Sequence, residues 1–301
     1  MFTCDEEGQA GLFKEYTAAE VAIFVSRINR LPLESEDLEE LRDGIRTLFQ
    51  TKIPVVGQTL MPGQKLFRGV SHDTKPTSVD KLGAPPDEKV CGFQRCNGPG
   101  RAMFYCAAGI APIYFELKPK VGDKIYISRW SVVRPDFAVL KIYEPDHSKL
   151  SPAISSIYQF FDTKFTEPIH DSFSYRYKVT AVITDFLLHE GLFEREHNIA
   201  GIKYTSTAYP SKAENLAILP STVAESMLLE SVDEFEIEEV TKDGFRTKRL
   251  DFTTRFDGDG QILWEGRGRE WKIPPKSIAI ITQGDEGWSV TDADGNVIDP
   301  T

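Results

Sequence analysis

An α+β fold is what the 301-residue sequence predicts. Helix-period patterns open the chain, short strand-like runs recur through its middle and end, and no regular β-α-β alternation orders them. The composition is that of a globular protein, 41% apolar and 27% charged. That excludes collagen-like, disulfide-scaffold and wholly disordered classes. At about 100–200 residues per domain, the length fits one elaborated domain or two modest ones.

Thr17-Ala18-Ala19-Glu20 is a capping box, with a hydroxyl for an orphan N–H and a carboxylate three residues on. Val21, Phe24, Val25 and Ile28 come next at helical spacing. Ser35 is a candidate cap for a second helix bearing Leu38, Leu41, Ile45 and Leu48, bracketed by Pro32 and Pro54. The two form a hairpin too small to stand alone, so it must dock on the next domain of the chain.

Strands are predicted at Leu66–Val70 and Ala102–Cys106, separated by a loop rich in Pro and Gly. Pro112 suits the first turn of a short helix carrying Glu116. Further strands are expected at Lys124–Val133, Ala138–Tyr143, Gly201–Ser206 and Asn215–Leu219, and helices at Ser151–Phe161 and Ser174–His189. After Pro220 the pattern turns to hairpins. Phe235–Glu238 and Arg249–Phe252 flank a Lys242-Asp243-Gly244 turn, and Trp288–Val290 and Asn296–Ile298 flank Asp292–Gly295. Asp257-Gly258-Asp259-Gly260 reads as a turn and not a calcium loop, because no bidentate Glu stands at the twelfth position. The expected organisation is an N-terminal helical appendage (1–60), a central α+β domain (61–220) and an acidic β-rich extension (221–301).

The net charge is −11, and residues 221–301 hold 18 acidic against 9 basic side chains. Such a chain is a poor general ligand for nucleic acid or anionic membrane. Between Gln64 and Arg101 the balance reverses, with seven basic residues against four acidic ones, enough to hold a small anion. No apolar run is long enough for a transmembrane helix, and the acidic start lacks a signal-peptide core, so a cytoplasmic protein is expected. Cys4, Cys91, Cys96 and Cys106 make no C-x-x-C pair, and His72, His147, His170, His189 and His197 are scattered. No metal site is expected. Phosphate-loop, nucleophile-elbow and strand-linked dinucleotide motifs are absent. Cys106 paired with a histidine is allowed by residue type alone, but a buried structural thiol is the usual outcome.

One constellation is sharper: Arg68 in Leu66-Phe67-Arg68-Gly69, Arg95-x-Asn97, Gly100, Met103-Phe104-Tyr105, Glu116 eleven residues on, and Ser206 followed by Asn215. This order and spacing, with Tyr177, Thr180 and Gly201-Ile202, resembles the RES domain family over about residues 64–220. The family is named for an arginine, a glutamate and a serine, and includes the toxins of RES–Xre toxin–antitoxin pairs. The resemblance implies an ADP-ribosyltransferase-like core, NAD as a substrate consumed rather than a resident cofactor, a neutralising antitoxin protein as partner, and room for a homodimer. It assigns Glu116, Arg68 and Ser206 to catalysis, and Arg95, Asn97, Tyr105 and Arg101 to substrate binding. Ser211 competes with Ser206, whose nine-residue distance to Asn215 suits the family better. Cys96 and Thr205 replace a bulky aromatic and a proline frequent in the family, and the long interval from Glu116 to Ser206 implies an insertion around 144–170.

The chemistry is consistent with that assignment. Guanidinium groups grip a pyrophosphate bidentately. Breaking the nicotinamide–ribose bond builds positive charge on the sugar, which a fixed carboxylate stabilises. Tyr105 offers a face for stacking, and Ser206 a hydroxyl for a ribose or phosphate oxygen. The plain alternatives are an Arg68–Glu116 structural ion pair, solvated Arg95 and Arg101, a core Tyr105 and a turn hydroxyl at Ser206. At the level of function, the alternatives are a protein ADP-ribosyltransferase and a non-catalytic module binding a nucleotide or partner.

Overall fold

The computed structural model describes residues 14–51, 53, 56–134, 137–142, 150–190, 198–210, 213–241, 244–266, 280–284 and 287–291. Cys4, His147, His197, Ser211, the Lys242-Asp243 turn, the Asp292–Gly295 turn and the Asn296–Ile298 run lie outside them, as does residue 143 at the end of a predicted strand and part of the expected insertion.

The α+β expectation holds. A nine-stranded mixed sheet forms from β1 (Val56–Thr59), β2 (Lys65–Ser71), β3 (Phe104–Ala107), β4 (Lys124–Val132), β5 (Ala138–Lys141), β6 (Ile199–Thr205), β7 (Glu214–Ile218), β8 (Met227–Val240) and β9 (Phe245–Thr253). Their order is β1-β5-β6-β7-β3-β2-β4-β8-β9. Only β5 and β6 run parallel; every other neighbouring pair is antiparallel. A separate hairpin pairs β10 (Ile280–Gly284) with β11 (Gly287–Thr291), so the Trp288–Val290 run finds its partner upstream. The described helices are α1 (Ala18–Asn29), α2 (Glu39–Phe49), α3 (Ala111–Leu117), α4 (Pro152–Phe165), α5 (Lys178–Leu188) and α6 (Pro220–Ser226). None is long and apolar enough to cross a membrane.

Side-chain alternation gives the sheet its two faces. On β7, Leu216 and Ile218 join one core cluster while Ala217 joins the other. The Ala217 cluster is covered by α1, α2, α4 and α5. The Leu216 and Ile218 cluster packs under α6 and the loops carrying Leu82 and Ile262. A small third cluster joins α3 to β2, β4 and β8 through Ile113, Phe67, Ile127 and Ile237.

The N-terminal hairpin docks as its size requires. Phe49 lies 5.7 Å from the Phe161 ring on α4 and 5.6 Å from Phe186 on α5. The buried Lys178 donates to the carbonyls of Leu33 and Ser35, fixing the hairpin's connection. The capping box forms, with Thr17 Oγ1 accepting from Glu20 N and Glu20 returning to Thr17 N. The second cap differs from the sequence reading. α2 starts at Glu39, Ser35 instead accepts from Asp37 N, and Asp37 accepts from Glu39 N. Two short turns of Asx type thus replace one cap. The Asp257 turn forms as read, its carboxylate accepting from Asp259 N and Gln261 N.

Two features position the site. β2 pairs with β4 along its whole length, from Lys65↔Ser131 to Ser71↔Ile125, yet meets β3 only at Phe67↔Ala107. The sheet therefore parts between β2 and β3. Beside that seam, α3 seats directly on Gly69, where a Cβ would come within 2.2 Å of Ile113 and 2.8 Å of Leu117. β8 and β9 extend the same sheet beyond β4.

Candidate functional site

A cleft of 590 Å³ opens at the seam, within the usual size for small-molecule sites. Arg68, Arg95, Tyr105 and Glu116 line it, with Tyr177, Tyr204 and Asn215. Segments distant in sequence meet there because β3, β7 and β6 are adjacent strands and α3 crosses the seam.

Arg68 enters where β2 and β3 diverge. Its Nε donates to Gly83 O at 3.2 Å and its Nη1 to Tyr105 O at 2.8 Å. The guanidinium carbon lies 5.2 Å from the Phe104 ring centroid. Desolvation lowers its pKa to about 10, so it is still a cation at neutral pH. Among the described residues no carboxylate pairs with it, which corrects the plain expectation of an Arg68–Glu116 ion pair. Its Nη2 end has no protein partner there. An unpaired guanidinium in a cleft is suited to a ligand anion.

Arg95 is buried, against the expectation of a solvated loop residue. Nη1 donates to Phe165 O at 2.6 Å, and Nη2 to Glu167 O and the Thr207 hydroxyl. The Tyr177 and Tyr204 rings flank it at 5.0 and 5.9 Å. It ties its loop to the end of α4 and also lacks a carboxylate among the described residues. Two arginines and Lys118 thus bring positive charge to the cleft wall, and among the described residues Glu116 is the acidic one that lines it.

Glu116 is open to solvent near the end of α3. One oxygen, Oε1, accepts from Ser206 Oγ at 2.7 Å and from Asn215 Nδ2 at 2.6 Å. Oε2 has no partner among the described residues. Ser206 is itself fixed, its Oγ accepting from Tyr209 N and its N–H donating to Ala213 O. Two donors, one just after β6 and one on β7, therefore orient the carboxylate and leave one oxygen available.

Tyr105 lines the cleft, but its hydroxyl is committed elsewhere. It donates to Asn97 Oδ1 at 2.5 Å and accepts from Cys96 N at 2.9 Å. Burial pushes its pKa well above 10, so it remains a neutral phenol. Asn97 is buried outside the cleft lining and acts on it through Tyr105. Arg101 is also outside the lining, pairing with Asp185 on α5, which in turn pairs with Arg42. Cys106 is buried and burial pushes its thiol up to about 12, so at neutral pH it is no nucleophile.

The structure brings Arg68, Arg95, Tyr105 and Glu116 to the cleft wall, holds the buried Ser206 behind it against Glu116, places Asn97 behind Tyr105, and leaves Arg101 on the helical layer. Asn215, part of the sequence pattern but without a role in it, is a direct partner of Glu116. The carbonyls of Gly83, Phe165 and Glu167 that orient the arginines left no signal in the sequence, because backbone acceptors are identical at every residue. No family model and no curated protein matches the chain.

Proposed function

We propose that this cleft cleaves the nicotinamide–ribose bond of NAD, as the resemblance to the RES family implies, on an ADP-ribosyltransferase-like core within residues 61–220. The observation that carries the reading is the oriented Glu116 carboxylate, bound through one oxygen by Ser206 and Asn215, in a cleft where two arginines lack carboxylate partners among the described residues. Arg68 and Arg95 supply charge for a pyrophosphate. The ring of Tyr105 offers an apolar face to the nicotinamide ribose. As the C–N bond breaks, its electron pair leaves with nicotinamide, and Glu116 stabilises the positive sugar carbon. When water is the acceptor, its oxygen bonds to that carbon and its proton passes to the carboxylate and then to solvent. Phosphate or a protein side chain are alternative acceptors. Loss of cellular NAD would make the protein a toxin, with a neutralising protein as its natural counterpart.

The test is proton NMR of NAD incubated with the purified full chain, beside Glu116→Ala. Free nicotinamide from wild type, reduced about 10²–10³-fold in the variant, is expected. The ribosyl product then names the acceptor: ADP-ribose for water, a 1″-phosphate for phosphorolysis. NAD left intact by wild type, with and without phosphate, would sink the reading.

A further inference from the structure

Glu116 sits on a seven-residue helix that cannot hold itself. Nucleating a helix is costly, and so short a segment takes its stability from packing. The residue before α3, Ile110, provides no side-chain cap. β2 supports one side of it at Gly69, and the hairpin β8–β9, beyond the RES-like stretch, meets it from another.

The contact is aromatic and specific. Phe245, the first residue of β9, stacks on Tyr114 at 5.7 Å with 25° between the rings. It also meets Phe115 edge-on at 5.2 Å. Phe115 in turn meets Tyr209 edge-on at 5.2 Å, and Tyr209 N donates to Ser206 Oγ. Phe235 of β8 approaches Tyr114 from the same side at 6.4 Å. The strand pattern explains the orientation. Along β9, Arg246 and Lys248 are exposed while Phe245 and Thr247 turn inward. Burial raises the Tyr114 pKa to about 12, and a hydrogen bond to Thr247 opposes that rise.

We infer that Phe245 is a positioning residue: it clamps α3 so that Glu116 meets Ser206 and Asn215 with its second oxygen toward the cleft. One ring touches both residues that precede Glu116 and, through Phe115, the loop after Ser206. Successive helical residues point about 100° apart, so a small roll of α3 carries the carboxylate away from both donors. Misplacement by about 1 Å is enough to cost on the order of 10²-fold in rate. The inference rests on Glu116 being the working carboxylate. It assigns the hairpin a task in that site rather than a separate one.

The experiment compares Phe245→Ala and Phe245→Tyr in the full chain. NAD cleavage is read as kcat and KM separately, and amide hydrogen exchange is read in α3 and α5. For Phe245→Ala, kcat is expected to fall about 10–100-fold with KM within about twofold. The α3 amides should exchange at least about tenfold faster while those of α5 are unchanged. Phe245→Tyr, which keeps the ring, should restore both. Unchanged kcat, or α3 exchange as slow as in wild type, would overturn the clamp. So would a loss shared by α5 and not rescued by tyrosine, which would mark Phe245 as an ordinary packing residue. In a wild type that leaves NAD untouched, the proposed function fails, and α3 exchange with its tyrosine rescue still decides the clamp.

Discussion

Two regions of the molecule treat their charged side chains in opposite ways. On β8 and β9, Glu234 and Asp251 are both buried, and Lys75 bridges them at 2.8 and 2.5 Å. The Lys75 ammonium also lies 4.2 Å from the Trp264 ring centroid, and Asp251 accepts from the amides of Phe252 and Gly266. Every charge there has an opposite charge beside it. In the cleft, among the described residues, Arg68 and Arg95 hydrogen-bond only to carbonyl and hydroxyl oxygens, and Glu116 only to a hydroxyl and an amide. Neutral dipoles orient a charge without cancelling it. A compensated cluster is complete as part of the fold, whereas an oriented, uncompensated one is complete only with a charged ligand.

This contrast predicts a double dissociation. The largest effect falls on Arg68→Met, which should lower NAD turnover by about 10²–10³-fold. Stability should change by less than about 1 kcal/mol, because relief of a desolvated cation offsets the lost bonds to two carbonyls. Full turnover in a folded Arg68→Met protein would remove the charge from the mechanism. The reverse is expected of Lys75→Met. It leaves Asp251 without its cation and Glu234 with Lys124 alone, at 3.6 Å, and should cost about 3 kcal/mol in urea denaturation. The folded fraction should keep its kcat. A Lys75→Met protein as stable as wild type would show that the pair tolerates its own repulsion.

A smaller effect is expected with pH. Burial tends to raise the Asp251 carboxyl, but the bonds from Lys75 and from the Phe252 and Gly266 amides outweigh it, so its pKa lies below the ordinary Asp value. A depressed carboxylate contributes stability above its unfolded pKa of about 3.9, and that stability is lost as pH falls through the folded value. Thermal midpoints should therefore drop steeply below about pH 4 in wild type and less steeply in Asp251→Asn. Equal slopes in the two proteins would place the acid sensitivity elsewhere.

Much of the local structure was legible because it is written in short-range spacing. The Thr17 capping box, the α1 and α2 faces, Pro112 at the start of α3, and the strand runs of β2, β4 and β6 each rest on residues within one or two turns. β1 escaped because four residues, Val-Gly-Gln-Thr, show no clear alternation. α6 escaped because the seven residues after Leu219 carry too short a periodicity, and it hid the start of β8 behind it. Ser35 looked like a cap because its chemistry is right; Asp37, two residues on, does the capping of Glu39.

By itself the sequence determined which side chains are available: a carboxylate after a short proline-started helix, two arginines around a loop, a serine at a strand end and an asparagine beyond it. The order β7-β3-β2-β4, the seam left by a single Phe67↔Ala107 pairing, and the meeting of Glu116 with Ser206 and Asn215 across 90 and 99 residues were decided only by the tertiary structure. So was the arrival of Phe245 on α3. The physical reason is the same in each case. Helix caps and periodicity are set by neighbours in the chain, whereas strand order and ring contacts are set by which surfaces exclude water together, and residues far apart in sequence decide that jointly.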